Sequence, residues 1–228
     1  MTGAFKPRLD ILPPAQLRLW ADLRPASRLG FVLYGGTAIA LRLGHRISVD
    51  FDFFSDQLLD RDALNVAFPF LAQSTVLQDQ PNALTISVPC ADTGQAPVKV
   101  SFFGTISFGR VGQPDLTDDG VLQAACLDDL MATKVKVILQ RAEAKDYRDI
   151  AAMVDSGVSL SSGLAAARLL YGNNFQPSES LKALVYFEDG DLATLSPAEK
   201  ACLIQAVRQV GDLPTVALSS TRLALDTH

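Results

Sequence analysis

The sequence predicts an α+β fold in which a small mixed or antiparallel sheet with flanking helices is followed by an all-α C-terminal lobe. Segments with strand-like alternation, separated by Gly, Pro, Asn and Asp, are confined to the first half of the chain. From residue 128 onward the apolar residues recur with helical spacing instead. A loop-rich stretch rich in glycine and acids lies between, so we expect domains over residues 1–120 and 121–228.

The individual elements follow from the same patterns. In the first domain we expect helices at 13–26, 37–43 and 61–72, and strands at 31–34, 47–54, 75–78, 83–89 and 97–103. In the C-terminal lobe we expect helices at 128–141, 146–155, 160–171, 179–185 and 197–210. Gly44 is placed to end the second helix in the left-handed conformation.

Composition excludes several classes of protein. Apolar residues make up 48% of the 228 residues and charged residues 20%, which is typical of a globular domain rather than a disordered chain. The net charge of −5 gives no global basic field, so a polynucleotide would have to be bound by a local patch. Three widely spaced cysteines favour free thiols over a disulfide framework or a zinc site. Without a signal-like or membrane-spanning apolar run, we expect a cytoplasmic protein and no membrane partner.

Paired carboxylates are the first candidate for chemistry. Between Ile47 and Phe54, the polar residues Ser48, Asp50 and Asp52 alternate with apolar ones, so we expect them on one face of a strand. Carboxylates two positions apart have Cα atoms about 6.5–7 Å apart and can share a pair of metal ions. Oxygen ligands favour Mg²⁺. The alternative is a solvated strand face on which alternating acids reflect exposure alone.

A glycine turn precedes these acids. Gly35 and Gly36 follow a strand and open a helix, so their backbone N–H groups and the positive helix end are suited to bind phosphate. The sequence lacks the Lys-Ser/Thr of a P-loop and the third glycine of a dinucleotide fingerprint. Glycines in a turn can also serve geometry alone, but a strand, Gly-Gly, a helix and Asp-x-Asp within 18 residues form a stronger signal.

Three segments together resemble a known family. They are Gly35-Gly-Thr-Ala-Ile-Ala-Leu41, Gly44-His-Arg-Ile-Ser-Val-Asp-Phe-Asp-Phe-Phe54, and Lys134-Val-Lys-Val-Ile-Leu-Gln-Arg141 with Lys145-Asp-Tyr-Arg-Asp-Ile150. This pattern resembles the DNA polymerase β-type nucleotidyltransferase superfamily, and more closely its AbiEii/AbiGii toxins of type IV toxin–antitoxin systems. A looser likeness is found at 184–189.

The resemblance implies roles for these residues. The first domain would be the nucleotidyltransferase core, with Gly35 and Gly36 receiving the triphosphate and Asp50 and Asp52 binding Mg²⁺. A helical lysine, here Lys134, would contact phosphate. The remaining residues that we expect at the nucleotide are Thr37, Ser48, Arg141 and Asp149, the last as a residue that orients Lys134 or Arg141.

The basic residues of the C-terminal lobe also suggest a physical interpretation. Lys134, Arg141 and Lys145 lie at i, i+7 and i+11, on one face if the helix is continuous, where they would contribute positive charge to the site. The alternatives are basic side chains that extend beside an apolar stripe, and local ion pairs within the 145–149 segment.

One position departs from the superfamily pattern. Superfamily members commonly carry a third carboxylate on a later strand, and in this sequence Ser101 stands where we expect it. Because that acid positions or deprotonates the attacking hydroxyl, its absence weakens the argument for turnover more than the argument for nucleotide binding.

The leading hypothesis is Mg²⁺-dependent transfer of a nucleoside monophosphate from an NTP to a hydroxyl. By analogy with the family, the acceptor would be RNA, such as a tRNA end, and the protein would be a toxin with a cognate antitoxin. Two alternatives remain open: a degenerate transferase that binds nucleotide or a partner protein without turnover, and transfer to a small molecule.

Overall fold

All five predicted strands join one mixed sheet. In the computed structural model, residues 3–90 and 95–225 are described, and their strands form one eight-stranded sheet in the order β1-β7-β8-β2-β3-β6-β5-β4. The strands are β1 (Ala4–Phe5), β2 (Val32–Tyr34), β3 (Asp50–Phe54), β4 (Thr75–Gln80), β5 (Ala83–Val88), β6 (Val98–Phe103), β7 (Asp115–Thr117) and β8 (Gln123–Ala124). β3 pairs antiparallel with β2 and parallel with β6. The mixed sheet is confirmed, whereas β1, β7 and β8 are too short to have been predicted.

The helices of the first half precede and interrupt these strands. They are α1 (Pro14–Leu19), α2 (Pro25–Arg28), α3 (Gly35–Leu43) and α4 (Arg61–Ala67). Gly44 ends α3 with φ 67°, as predicted from its lack of a Cβ. The helix expected at 61–72 ends early because Pro69 starts a separate 3₁₀ turn at Pro69–Gln73.

The second half of the described chain is helical, as predicted. Its helices are α5 (Leu127–Val137), α6 (Ala144–Asp155), α7 (Leu160–Tyr171), α8 (Pro177–Ala183) and α9 (Pro197–Gln209). Shorter 3₁₀ turns in the described residues lie at Leu9–Ile11, Trp20–Leu23, Gly172–Asn174 and Leu192–Thr194. None of the helices in the described residues is both long and apolar enough to cross a bilayer.

The chain divides into two compact units. The first comprises Met1–Gly109, Gln113–Ala125 and Ser220–His228, and the second comprises Arg110–Gly112 and Cys126–Ser219. The sheet and α1–α4 belong to the first unit, and α5–α9 to the second. The domain boundary predicted after residue 120 falls inside the first unit, which the chain leaves at Ala125.

Aromatic side chains form much of the core of the first unit. Phe51 and Phe53 on β3 are fully buried, and the Phe53 ring stacks on Phe102 of β6 with centroids 5.4 Å apart. Phe31 and Phe68 meet the same Phe102 ring, each with a centroid distance of 5.2 Å. Burial of these rings stabilises the unit and holds β3 against β6.

The C-terminal segment returns to the first unit. Leu223 is fully buried there. Its backbone N–H donates to Oδ1 of Asp56 at 3.1 Å, and that of Leu225 donates to Oε1 of Gln123 at 3.1 Å. These contacts tie the segment to residues that follow β3 and begin β8.

The helical unit differs from the sequence expectation at one important place. A common face for Lys134, Arg141 and Lys145 requires a continuous helix, but α5 ends at Val137, before the predicted end at residue 141, and α6 begins at Ala144. Asp191 fixes this start, because its Oδ1 accepts a hydrogen bond of 2.6 Å from the backbone N–H of Ala144. Arg141 therefore lies in a connection and not on a shared helical face with Lys134, so that interpretation is wrong.

A buried ion cluster holds α5 against α6. The Lys134 ammonium, with only 6% of its side chain exposed, lies 2.6 Å from Oδ1 of Asp146 and 2.7 Å from Oδ2 of Asp149. Arg141 Nε lies 2.8 Å from the other oxygen of Asp146. Burial raises the pKa of Asp146, but the charges and hydrogen bonds of Lys134 and Arg141 outweigh it, so the pKa lies below its ordinary value.

Replacing Lys134 should destabilise the helical unit. Lys134→Met leaves Asp146 and Asp149 without their shared buried cation, which we expect to lower the free energy of unfolding by about 3–5 kcal/mol at pH 7. Because the folded pKa of Asp146 is lowered, its contribution is present above its unfolded pKa of about 4 and is lost as the pH falls. The difference in free energy of unfolding between wild type and Lys134→Met should therefore become smaller below about pH 4.

Urea unfolding at pH 7 and at acid pH measures this difference. Lys145→Met is the matched control, because Lys145 pairs with Glu143 at the surface, where such a pair contributes about 0–1 kcal/mol. Equal loss in both variants, or a loss for Lys134→Met that does not depend on pH, would contradict the role of the buried cluster.

Candidate functional site

The acid pair lies on β3 as the alternation predicted. Asp50 and Asp52 are partly exposed, whereas Phe51 and Phe53 between and after them are fully buried on the opposite face. Both carboxylates therefore project from one face of the sheet. Their Cα separation along a strand is about 6.5–7 Å, short enough for both side chains to reach one cation.

The strand-like alternation does not extend to the residues before Asp50. β3 begins at Asp50, with Ser48 buried and with Ile47 and Val49 exposed by 66% and 56%. The expectation of a strand from Ile47, with the apolar side chains of Ile47 and Val49 buried, is wrong. The physical reason is a tertiary hydrogen bond of 2.8 Å between the Thr37 and Ser48 hydroxyls, which turns Ser48 inward.

Thr37 and Ser48, both predicted to bind nucleotide, are buried next to each other. The Thr37 hydroxyl also bonds to the backbone carbonyl oxygen of Asp50. Their observed contacts thus attach the first turn of α3 to the start of β3. Direct contact of either hydroxyl with a nucleotide stays a prediction, while their effect on the position of Asp50 follows from these bonds.

The glycine turn lies directly against the acid pair. Tyr34, the last residue of β2, pairs with Asp52 across the sheet, so the following Gly35 starts α3 beside that carboxylate. Gly35 has φ 73°, and a Cβ there would lie 2.9 Å from Oδ2 of Asp52. The residue before α3 supplies no side-chain cap to the backbone N–H groups of the first turn, and the positive end of the helix lies at Gly35.

Lys99 and Ser101 are the neighbours of the two acids on β6. The parallel register pairs Asp50 with Lys99 and Asp52 with Ser101, which places all four side chains on the same face. The Lys99 ammonium is 3.5 Å from Oδ2 of Asp50 and its side chain is 46% exposed. Ser101 is 1% exposed and accepts a hydrogen bond of 3.4 Å from the Thr85 hydroxyl. The position expected to carry a third acid therefore holds a buried, neutral hydroxyl.

The donor set of the acid face suits a hard cation. Asp50 and Asp52 offer only oxygen ligands, and the missing Cβ of Gly35 leaves room at Oδ2 of Asp52. Mg²⁺ typically binds through one or two carboxylates, with waters and substrate phosphates as its other ligands. Among residues 3–90 and 95–225, no group of three or more His, Cys, Asp or Glu side chains is placed to hold a metal ion. Among the described residues, the carboxylates of Asp50 and Asp52 are thus the acidic ligands that this face offers to a cation.

The other predicted residues, Lys134, Arg141 and Asp149, belong to the helical unit. Asp149 contacts Lys134, as predicted for an orienting residue, but it does not act alone. Asp146 also binds Lys134 and connects it to Arg141, whose side chain is 45% exposed. Lys134 is predicted to contact phosphate, but its ammonium already has two carboxylate partners. The Arg141 side chain is more exposed than that of Lys134.

Two residues of interest were not identified from the sequence. Asp146 was considered only for local ion pairing, although its place between Lys145 and Tyr147 in a family-like segment was a usable signal. Lys99 gave no signal, because its place beside Asp50 depends on the register between strands that are far apart in sequence. Only the folded sheet brings Lys99 and Asp50 together.

Comparisons with known proteins agree with this geometry. The family model described as nucleotidyl transferase AbiEii toxin, type IV TA system, matches residues 18–211. The chain is 30% identical, over 162 residues, to an uncharacterised protein of Aquifex aeolicus strain VF5. The aligned region covers 70% of this chain and 74% of that protein.

A solved structure shows the same fold. The nucleotidyltransferase toxin MenT4 from Mycobacterium tuberculosis H37Rv aligns with a TM-score of 0.60, covering 86% of this chain and 84% of that one. At 13% sequence identity this likeness concerns the fold alone. The family match extends over the acid pair, the glycine turn and most of the helical unit, and by that match the chain belongs to the AbiEii nucleotidyltransferase toxins of type IV toxin–antitoxin systems.

Proposed function

We propose that the protein transfers a nucleoside monophosphate from an NTP to a hydroxyl of RNA, with Mg²⁺ held by Asp50 and Asp52. The observation that carries the proposal is the juxtaposition of the two partly exposed carboxylates with the Gly35 turn at the start of α3. In the proposal a tRNA end is the acceptor, transfer occurs in the cytoplasm, and a cognate antitoxin restrains the activity.

The residues of the first unit would act by binding and orientation. Backbone N–H groups at Gly35 and Gly36 would receive the triphosphate at the positive end of α3. Bound Mg²⁺ would supply positive charge to the triphosphate and to the departing pyrophosphate. Thr37 and Ser48 would hold the Asp50 backbone in place, because the Thr37 hydroxyl is bonded to the Asp50 carbonyl oxygen and to the Ser48 hydroxyl. Catalysis would then come from positioning and electrostatics.

The helical unit would supply further positive charge. We assign contact with phosphate to Arg141, which is 45% exposed, in addition to the Lys134 role implied by the resemblance. Asp146 and Asp149 would fix the Lys134 ammonium, and Asp146 would also orient the Arg141 guanidinium. A cation held by buried acids needs little reorganisation when charge develops on a substrate.

A local surface near the acids supports an RNA acceptor despite the net charge of −5. Exposed Ile47 and Val49 precede Asp50 and offer an apolar contact for a base. The basic residue Arg46 precedes Ile47 in the sequence, and Lys99 pairs with Asp50 in the sheet register. A polynucleotide needs such a local basic patch where the whole protein is acidic.

Transfer of the α-phosphate is the direct test. Each NTP labelled at the α-phosphate, incubated with Mg²⁺, protein and mixed RNA, should label RNA, whereas γ-labelled NTP should not, because pyrophosphate leaves. Asp50→Asn and Asp52→Asn should each lower the rate by about 100-fold or more. Asp62→Asn, an exposed acid on α4, is the matched control and should retain full activity.

The alternatives predict other outcomes for the same assay. NTP binding without any transfer would favour a degenerate transferase, for which the neutral Ser101 is the specific observation. Label on a small molecule, with none on RNA, would identify a different acceptor. Transfer of γ-label would contradict nucleotidyl transfer altogether.

The toxic activity should depend on the same acids. Induced expression of the wild type without its antitoxin should arrest growth, and Asp52→Asn should restore growth at equal protein levels because the cation loses a charged ligand. Colony counts and immunoblots measure both quantities. Arrest that persists with Asp52→Asn would separate toxicity from nucleotidyl transfer.

Gly35→Ala should impair nucleotide binding without unfolding the protein. The new Cβ would lie 2.9 Å from Oδ2 of Asp52, and φ 73° is unfavourable for alanine by about 1–2 kcal/mol. We expect at least a tenfold weaker affinity for NTP with Mg²⁺, measured by calorimetry. Gly211→Ala is the control, because no atom lies within 4 Å of a Cβ there. Unchanged affinity in Gly35→Ala would rule out phosphate binding at this turn.

A further inference from the structure

Lys99 lies on the acid face of the sheet, two positions before Ser101, where a third carboxylate was expected. The β3–β6 register places it directly beside Asp50 and two positions before Ser101 on the same face. Its ammonium is 3.5 Å from Oδ2 of Asp50, and 46% of the side chain is exposed. A cation is thus built into the acid face of the sheet.

We propose that Lys99 takes the electrostatic place of a second metal ion, so that Asp50 and Asp52 hold one divalent cation and not two. This inference rests on the proposed function and specifies how its site is charged. It also replaces the metal pair that the two carboxylates suggested from the sequence alone. Lys99 is a positioning residue in this proposal, because it acts through Asp50.

The net charge of the site supports the replacement of a second metal ion by Lys99. A site of three carboxylates and two dications carries a net charge of plus one. Two carboxylates, one ammonium and one dication carry the same net charge. Within this set of groups, the Lys99 ammonium balances the combined absence of a second dication and of the third acid at Ser101.

Repulsion makes a second dication unfavourable in this arrangement. Two dications repel about four times as strongly as two unit charges at the same distance, and shared carboxylates must offset that repulsion. Among the residues that the structure describes, no third acidic, histidine or cysteine ligand joins Asp50 and Asp52. Lys99 further neutralises Asp50, the carboxylate that a second ion would have to share.

Ser101 cannot take over the role of the missing acid. Its side chain is neutral and 1% exposed, and its hydroxyl accepts a hydrogen bond from Thr85. The third position of the acid face is therefore occupied by a buried hydroxyl pair, while the exposed neighbour is the lysine. The two residues are complementary in charge, since Ser101 lacks the negative charge of a third acid and Lys99 adds a positive charge.

Binding of Mn²⁺ to the protein without nucleotide tests the proposal apart from activity. Free Mn²⁺ is measured by electron paramagnetic resonance during titration of wild type, Lys99→Met and Lys99→Arg. We expect one Mn²⁺ per chain in each, bound on the order of tenfold more tightly by Lys99→Met, because the competing ammonium is removed. Lys99→Arg keeps the charge and should bind like the wild type. Lys182→Met, which removes an exposed lysine paired with Glu179 at 2.9 Å, is the matched control.

The outcomes distinguish this inference from the proposed function. Loss of Mn²⁺ binding in Asp52→Asn, with equal affinities in wild type and Lys99→Met, would overturn the role of Lys99 and leave the proposed metal site intact. Two Mn²⁺ ions per wild-type chain would also overturn it. Full Mn²⁺ binding by Asp52→Asn would instead contradict the proposed metal site itself.

The dependence of transfer rate on Mg²⁺ gives a second measurement. The wild-type rate should saturate with rising Mg²⁺ concentration, with a Hill coefficient of about one for a single bound ion. Lys99→Met should have a lower maximal rate and should reach half of that rate at a lower Mg²⁺ concentration. A lower maximal rate with an unchanged Mg²⁺ requirement would show that Lys99 serves the substrate directly, and would contradict its role as a substitute for an ion.

Discussion

Parallel pairing between β3 and β6 is the constraint on which the candidate site depends. Its register runs without interruption from Asp50 beside Lys99 to Phe54 beside Phe103. A shift of one residue would turn Asp50 and Asp52 into the aromatic core and expose Phe51 and Phe53. The burial of these rings against Phe102 therefore determines where the carboxylates lie. In this protein, apolar packing on one face of a strand sets the electrostatics of the other face.

The two units hold their charges in different ways. In the helical unit, Lys134 is surrounded by Asp146 and Asp149, so its charge is satisfied within the protein and contributes to stability. On the sheet, Asp50 lies 3.5 Å from the Lys99 ammonium and remains partly exposed. A partly exposed carboxylate retains the capacity to bind an external cation. The contrast accounts for why the sheet carries the candidate metal site.

Local patterns were sufficient for much of the fold and for the central part of the site. The alternation predicted for 47–54 holds from Asp50 to Phe54 and gave the acids a common face, and Gly35 and Gly44 marked the start and end of α3. The predictions failed where contacts between residues distant in sequence determine the local structure. Ser48 is turned inward by Thr37, and the break between α5 and α6 is fixed by Asp191, 47 residues beyond Ala144. No local pattern contains these contacts.

The return of the C-terminal segment makes the helical unit an insert within the first unit. After the chain leaves at Ala125 and traverses α5–α9, it comes back at Ser220 and buries Leu223. The first unit therefore gains its last packing contacts only after α5–α9 have been synthesised. A chain interrupted near residue 219 would carry β1–β8, α1–α9 and the acid pair, yet lack the contact between Leu223 and Asp56. In a toxin this order of assembly would leave the first unit incompletely packed until residues 220–225 have been translated.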